Sequence, residues 1–579
     1  MGSPTNVAVG PVALIAERQA NELLKKFASP SVDQQPLVTK TIQKFLDVNE
    51  HMGTWDFPVP TSDARVQRHT SFEDGVLIRA RNLMKFVLTD FDEDEWFTRS
   101  KNSGGSSIGV PFTDTSPERK FTFPISVTAR AKPLFDQYML FDSQLKSAIL
   151  YLNGQTPIGE MYNIVEGSRA TTVEKNDTIR RQIAIEPTAN MFLQQGLMEM
   201  LYARMKVVGL DVSVLPTEHV RRAEEASITG RQATIDFSSA SDCVSIKLLR
   251  WLLPPKWFDA VMLVRCDTMS VADVATPLNM VSTMGNAGTF PLMTLTLWTL
   301  AHAVRLAKEN TYSSYPAWED LKEVSVFGDD CIVSSDLAAD FIAVAEYVGF
   351  LVNREKSHIE PTDKFRESCG GDFLTGYNVR PFNLRAPTSC RLSSLEPWLY
   401  VIGNGLLKKY RSYFGDLTYM YEKRFFETLF RLFVEYKIQV KLVPDDMPDD
   451  AGLKISNDIE RFVLCYPITF SEIHKSKQGS YSFKYLRFVY KTRRATNDDV
   501  RYAVWLKTPR RSSLYNALIK RHTYRDVRSV LRDYTQQADR ETPKWSSNRR
   551  IGGYVVAKSV TGHWSVPGIR HLRGPIAGD

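Results

Sequence analysis

The string Val324-Ser325-Val326-Phe327-Gly328-Asp329-Asp330-Cys331-Ile332-Val333 constrains this chain more than any other. β-Branched residues run up to Gly-Asp-Asp and away from it, which is the pattern of a hairpin whose tight turn holds two carboxylates clear of the sheet. Adjacent acids repel each other unless a cation neutralises them, and a bound divalent metal does so. A solvated turn is the plain alternative, because the bare tripeptide arises by chance in roughly one chain in ten of this length. A third acid closes the apolar run in Thr234-Ile235-Asp236-Phe237-Ser238-Ser239-Ala240-Ser241-Asp242. Asp236 precedes Asp329 by 93 residues, a separation suited to two strands of one sheet joined through helices. Three acids from two strand ends could hold two Mg²⁺ about 3.5–4 Å apart and clamp an in-line phosphoryl displacement. Asp236, Ser238 or Ser241 could instead cap a helix.

Around these strings the chain reads as mixed α and β. Ser100 to Glu118 is rich in Gly, Ser, Thr and Pro and is expected to be a long mobile loop, with a second polar loop from Asn163 to Asp177. Helical spacing recurs at Leu134 to Leu152, Met191 to Met205, Pro291 to Lys308 and Ala338 to Val348. Ala233 to Asp236 and Val324 to Val326 read as short strands ending in acid, so an α+β core carrying a site on its sheet is predicted. Met284-Gly285-Asn286-Ala287-Gly288-Thr289-Phe290 is a glycine-bearing loop opening a helix, with Gly285 allowing close backbone approach and Asn286 offering an amide. Lys175 and Arg181 flank a short segment before Ile183-Ala184-Ile185-Glu186-Pro187 and could hold a triphosphate; each could equally be a surface charge.

Length and charge narrow the class. A chain of 579 residues exceeds what one hydrophobic core usually organises and predicts two to four subdomains or a large multi-lobed enzyme. The net charge of +7 is unevenly spread: residues 471–579 hold 23 basic and 8 acidic side chains, a net of +15, and the remainder is net −8. Such asymmetry suggests a polyanion-facing lobe on an acidic body, although a solvated basic surface accounts for the charge as well. Six scattered cysteines (Cys243, Cys266, Cys331, Cys369, Cys390, Cys465) without a C-x-x-C pair point to a reducing compartment, with no disulfide scaffold or zinc ribbon. Val7 to Ala16 lacks the flanks of an export signal. Val274 to Val304 carries no acid, Lys or Arg, yet Asn279, Gly285, Asn286, Gly288 and Pro291 interrupt it, so a buried loop plus helix is expected rather than a membrane span.

Taken in order, RRQIAIEPTANMF (180–192), TIDFSSASD (234–242), LLPPKWF (252–258), MGN (284–286), FGDD (327–330) and FRESCG (365–370) resemble the catalytic subunit of the replicases of single-stranded RNA bacteriophages, the leviviruses. The resemblance covers roughly 175–381. It implies a right-hand RNA-dependent RNA polymerase with fingers, thumb and a palm made of an antiparallel sheet flanked by helices. The implied partition is an N-terminal region at 1–99, fingers at 100–232, palm at 233–400, and thumb with the basic C-terminal region at 401–579. It further implies two Mg²⁺ ions, with Mn²⁺ as a substitute, on Asp236, Asp329 and Asp330. By the same resemblance Asp242 and Asn286, with Gly285 beside them, read the ribose 2′-hydroxyl of the incoming nucleotide, and Lys175 and Arg181 lie over its triphosphate. Lys356 falls where polymerases place a basic residue proposed to protonate pyrophosphate; a salt bridge to Glu355 or Glu360 is the alternative. Phe327 stands where the family often has Tyr, which removes a hydroxyl without touching metal binding. Implied partners are template and product RNA, NTPs, host elongation factors Tu and Ts and a small-subunit ribosomal protein, in the cytoplasm of an infected bacterium and with no membrane.

Two other readings compete. A reverse transcriptase would share the palm, but Asp242 can accept a hydrogen bond from a 2′-hydroxyl and favours ribonucleotides. A non-catalytic RNA-binding protein could use Tyr481, Phe483, Tyr485, Phe488 and Tyr490 to stack bases beside basic residues, although such a stripe is more often sheet core.

Overall fold

A computed structural model describes residues 14–15, 17–19, 21–22, 35–60, 71–112, 115–154, 158–175, 179–309, 323–382, 392–414, 428–454, 470–471, 473–476, 480–490 and 552–561. They belong to two compact units, one centred on Gln34–Arg380 and the other on Pro381–Thr492 with Arg549–Asp579.

In chain order the larger unit has α1 (Gln35–Thr54), α2 (Phe72–Leu88), β1 (Ile125–Thr128), α3 (Lys132–Phe141), α4 (Ser143–Leu152), β2 (Tyr162–Val165), β3 (Ser168–Glu174) and β4 (Arg180–Ile185). Next come α5 (Thr188–Val207), α6 (Leu215–Thr229), β5 (Gln232–Ile235), β6 (Phe237–Ser238), β7 (Thr268–Val271), β8 (Val274–Pro277) and α7 (Thr289–Lys308). After them stand β9 (Ser325–Phe327), β10 (Asp330–Ser334), α8 (Ala338–Tyr347), β11 (Leu351–Val352), β12 (Phe365–Ser368), β13 (Gly371–Leu374) and β14 (Tyr377–Asn378). The central sheet has the order β5-β10-β9 and is antiparallel throughout.

Helix α7 explains the uncharged stretch at 274–304. β8 and a loop precede it, and its own residues are buried on nearly every side, from Leu292 through Trp298 to Leu306. No helix among the described residues is long and apolar enough to cross a membrane. α2 packs on α7 and supplies Val76, Leu77, Ala80, Leu83, Met84, Val87 and Leu88, a stripe recurring every three or four residues that faces this core. Its first turn is fixed by Ser71, whose hydroxyl accepts the Asp74 amide at 3.1 Å.

Two expectations of local structure change. The polar region 163–177 forms most of β2 and all of β3, because Thr171, Thr172 and Val173 pair with β4 along an exposed sheet on which polarity does not signal a loop. The helical stretch 134–152 breaks into α3 and α4 at Asp142, whose carboxylate leaves the first helix and caps the second by accepting the Leu145 amide at 3.0 Å.

The smaller unit contains α9 (Leu392–Phe414), β15 (His474–Lys475), β16 (Tyr481–Tyr490) and β17 (Gly552–Thr561). Leu399 and Tyr400 pack with Phe430, Phe433, Val440 and Leu453. Within this core Lys441 and Glu396 form an ion pair at 2.5 Å, with the Tyr400 hydroxyl donating to the same carboxylate. β16 confirms the strand expected at 481–491, and Phe483 is buried as sheet core. Most of the basic segment 471–579 lies outside the described residues, as do Cys390 and Cys465. The four described cysteines are free thiols.

Candidate active site

Register brings the acids together. In the β9–β10 hairpin Phe327 pairs with Asp330 and Val326 with Cys331, while Cys331 also pairs with Ile235 of β5. Asp236, one residue beyond Ile235, therefore ends its strand beside Asp330. The turn needs Gly328: its φ is +66°, and a Cβ there would lie 2.7 Å from the Phe290 ring. Helix α7 supports the turn from below. Thr294 Oγ1 accepts the Gly328 amide at 3.0 Å and donates to the Phe290 carbonyl at 2.8 Å, and the Phe290 and Phe327 rings meet edge to face at 4.9 Å. From α6, buried His219 reaches Ser325 at 2.8 Å with Nε2 and Ser368 at 2.9 Å with Nδ1, tying the hairpin to β12.

The three carboxylates share one electrostatic field. Burial, then Asp329 and Asp236, push Asp330 up to about 7, against hydrogen bonding from the Cys369 side chain and backbone. Asp236 is raised first by burial and further by Asp329 and Glu367, while Lys356 and Asn353 oppose the shift. Lys175, just beyond β3, is lowered by burial, by Arg181 and by Lys356, and is drawn back by Asp236 and Asp329. Lys175 and Lys356 thus face these acids, Arg181 lies close enough to act on Lys175, and the charge of Lys356 falls on Asp236.

Asp236 is not a helix cap. Its backbone and side chain are gripped by the turn after β11: Asn353 donates its backbone N–H to the Asp236 carbonyl at 2.9 Å and its amide Nδ2 to Oδ2 at 2.7 Å. The Asp236 N–H donates to Ser357 Oγ at 3.1 Å. Nothing in the sequence marked Asn353 or Ser357 beyond their place beside Lys356. Arg366 of FRESCG, fully buried, donates to the carbonyls of Gln232, Glu360, Asp363 and Phe365, so it knots β12 to the central sheet.

The Met284–Asn286 loop is seated on β4. Ala184 donates its N–H to the Met284 carbonyl at 2.6 Å, and a Cβ on Gly285, at φ +112°, would lie 2.1 Å from the Ala184 carbonyl oxygen. Asn286 Oδ1 accepts the Gly288 amide at 2.9 Å, and its side chain also hydrogen-bonds Glu186. That glutamate is buried and held as well by Gln194 and by the Cys266 thiol. Asp242, 8% exposed, accepts from Thr283 Oγ1 at 2.5 Å, and burial pushes it up to about 6. Asp242 and Asn286 are therefore joined through the Thr283–Asn286 loop, each already engaged by protein groups.

Hard carboxylate oxygens are the donor type that Mg²⁺ takes, and a cation would offset the burial and the mutual repulsion that together raise Asp236 and Asp330. Among the described residues no three His, Cys, Asp or Glu side chains already converge as a metal cage.

Comparison with known proteins gives the class. The family described as RNA replicase, beta-chain, matches residues 15–399. The RNA-directed RNA polymerase subunit beta of Enterobacteria phage SP is 30% identical over 427 residues, 70% of this chain and 67% of that protein. The subunit of Escherichia virus Qbeta is 35% identical over 346 residues, 59% of this chain and 54% of the relative. The matches thus span from about half to two thirds of these relatives' own length. The chain is an RNA-directed RNA polymerase. It belongs to the RNA replicase beta-chain family of the RNA bacteriophages. Among solved structures, the RNA-dependent RNA polymerase of a human picorbirnavirus is similar at 12% identity and a TM-score of 0.40, covering 74% of this chain and 83% of that one. A superposition that loose carries no argument about the site.

Proposed function

We propose that this chain replicates a viral RNA genome by template-directed transfer of nucleotides from NTPs, with Asp236, Asp329 and Asp330 holding two Mg²⁺ ions. The observation that supports this most is the register that sets Asp236 beside the Asp329–Asp330 turn, with Lys175 and Lys356 in the same field and Arg181 beside Lys175. When bound, the metal ions would acidify the attacking 3′-hydroxyl and stabilise charge on the leaving pyrophosphate. Lys175 and Arg181 would orient the triphosphate, and Asp242 and Asn286 the ribose. Lys356 would stand where a proton is delivered to pyrophosphate. In this reading 100–232 are fingers, 233–400 palm and 401–579 thumb, with 1–99 an N-terminal region.

The relatives are named as subunits, which supports a replicase complex; we infer host elongation factors Tu and Ts and a small-subunit ribosomal protein as its other members, in the infected cell's cytoplasm. The test is Mg²⁺-dependent incorporation of NTPs and of dNTPs on a primed RNA template. Incorporation of NTPs in clear preference to dNTPs is expected. RNA binding without synthesis, or equal use of dNTPs, would contradict the reading.

A further inference from the structure

We propose that Asn353 is a positioning residue for Asp236: its side-chain amide fixes the carboxylate rotamer, leaving Oδ1 for a divalent cation. The inference rests on the reading of Asp236 as a metal ligand and extends it to a residue that the sequence motifs pass over.

Asn353 holds Asp236 at two points, the peptide carbonyl at 2.9 Å and carboxylate Oδ2 at 2.7 Å. Ser357 adds a third by accepting the Asp236 N–H at 3.1 Å. The two residues lie 117 positions apart in the chain, joined where β11 pairs with β6 through Leu351↔Ser238 and Val352↔Phe237. The partner is a neutral amide. A cation at that place would compete with the metal for the same charge, whereas an amide orients the carboxylate and leaves its full negative charge available. The same residue organises the turn that carries Lys356, whose N–H donates to the Asn353 carbonyl at 3.1 Å. Asn353 therefore sets both the acid and the place of the ammonium that acts on it.

Substitution by alanine separates these roles, because both backbone bonds survive and only the amide-to-carboxylate bond is lost. Loss of a partner behind a metal ligand typically costs about 10–100-fold in metal affinity or activity. For the full chain with its co-purifying subunits, N353A is expected to raise the Mg²⁺ concentration for half-maximal NTP incorporation by about 10-fold or more. The maximal rate should largely return at saturating Mg²⁺. Mn²⁺ binding without nucleotides, read from the paramagnetic resonance of free Mn²⁺, should weaken in parallel while the thermal midpoint stays near that of the unsubstituted protein. N353S, too short to reach Oδ2, serves as a second variant should alanine fail to fold, and the same shifts are expected. Mn²⁺ binding and Mg²⁺ dependence unchanged in the folded variants would overturn the proposal. D236N separates the two levels: full synthesis in D236N overturns the metal-ligand reading, whereas lost synthesis in D236N with unchanged Asn353 variants overturns the positioning role alone.

Discussion

The two acid-bearing strand ends are held in opposite ways. Asp236 is fixed by polar partners, Asn353 and Ser357, that bond its carbonyl, its amide and its carboxylate. The Asp329–Asp330 turn is fixed from beneath, by a left-handed glycine, an aromatic pair and the Thr294 hydroxyl, and Asp329 is left exposed. Asp236 is aimed by hydrogen bonds, whereas the turn carrying Asp329 and Asp330 is set by the packing of its backbone, with Cys369 hydrogen-bonding the Asp330 carboxylate besides. Changes near Asp236 should therefore show first in metal dependence, and changes beneath the hairpin first in stability.

The largest stability effect expected beneath the hairpin is a pH dependence. Burial lowers His219 to about 4 from an ordinary value of 6.5, so between these values the unfolded chain binds a proton at this site that the folded chain does not, whereas Asp330 and Asp242, raised to about 7 and about 6, act in the opposite sense. The contribution of His219 to stability should be full above pH 6.5 and be lost as pH drops towards 4, by on the order of 3 kcal/mol. Denaturant unfolding of the unsubstituted protein and of H219N across that range checks this: the difference between the two should carry that slope, and identical pH profiles would break the link. G328A comes next. A side chain in the left-handed region costs about 1–3 kcal/mol, and here it also meets the Phe290 ring, so both the unfolding midpoint and synthesis should fall. Smallest is T294V, which deprives the Gly328 amide of its acceptor at nearly constant shape. It should cost roughly 1–3 kcal/mol in unfolding with little change in the Mg²⁺ requirement. A T294V variant with normal stability and a raised Mg²⁺ requirement would contradict the division between the two strand ends.

The hairpin was legible because β-branched runs around Gly-Asp-Asp admit few other structures, and the same local logic gave β5, α7, α8 and β16. Where polarity substituted for geometry the reading failed. β3 is a strand with an exposed face, so its Arg and Thr residues resembled a loop, and Asp142 capped a new helix within what looked like one. The acids were visible as strand ends, but Asn353, Ser357, Glu186 and His219 were not. Their roles depend on contacts between residues about 80 to 150 positions apart, which no local pattern encodes. Asn286 and Asp242 stood out in the sequence as ribose contacts implied by resemblance, while their engagement with Glu186 and Thr283 required the fold.

The most direct test of the central claim is Mg²⁺-dependent NTP incorporation by D329N, measured beside RNA binding and thermal unfolding of the same preparation. Asp329 is exposed at the turn, so the exchange to asparagine should leave the fold and RNA affinity intact. Synthesis should fall by on the order of 100-fold or more, at least the loss typical when a partner behind a metal ligand is removed. Full synthesis by a folded, RNA-binding D329N protein would contradict the account.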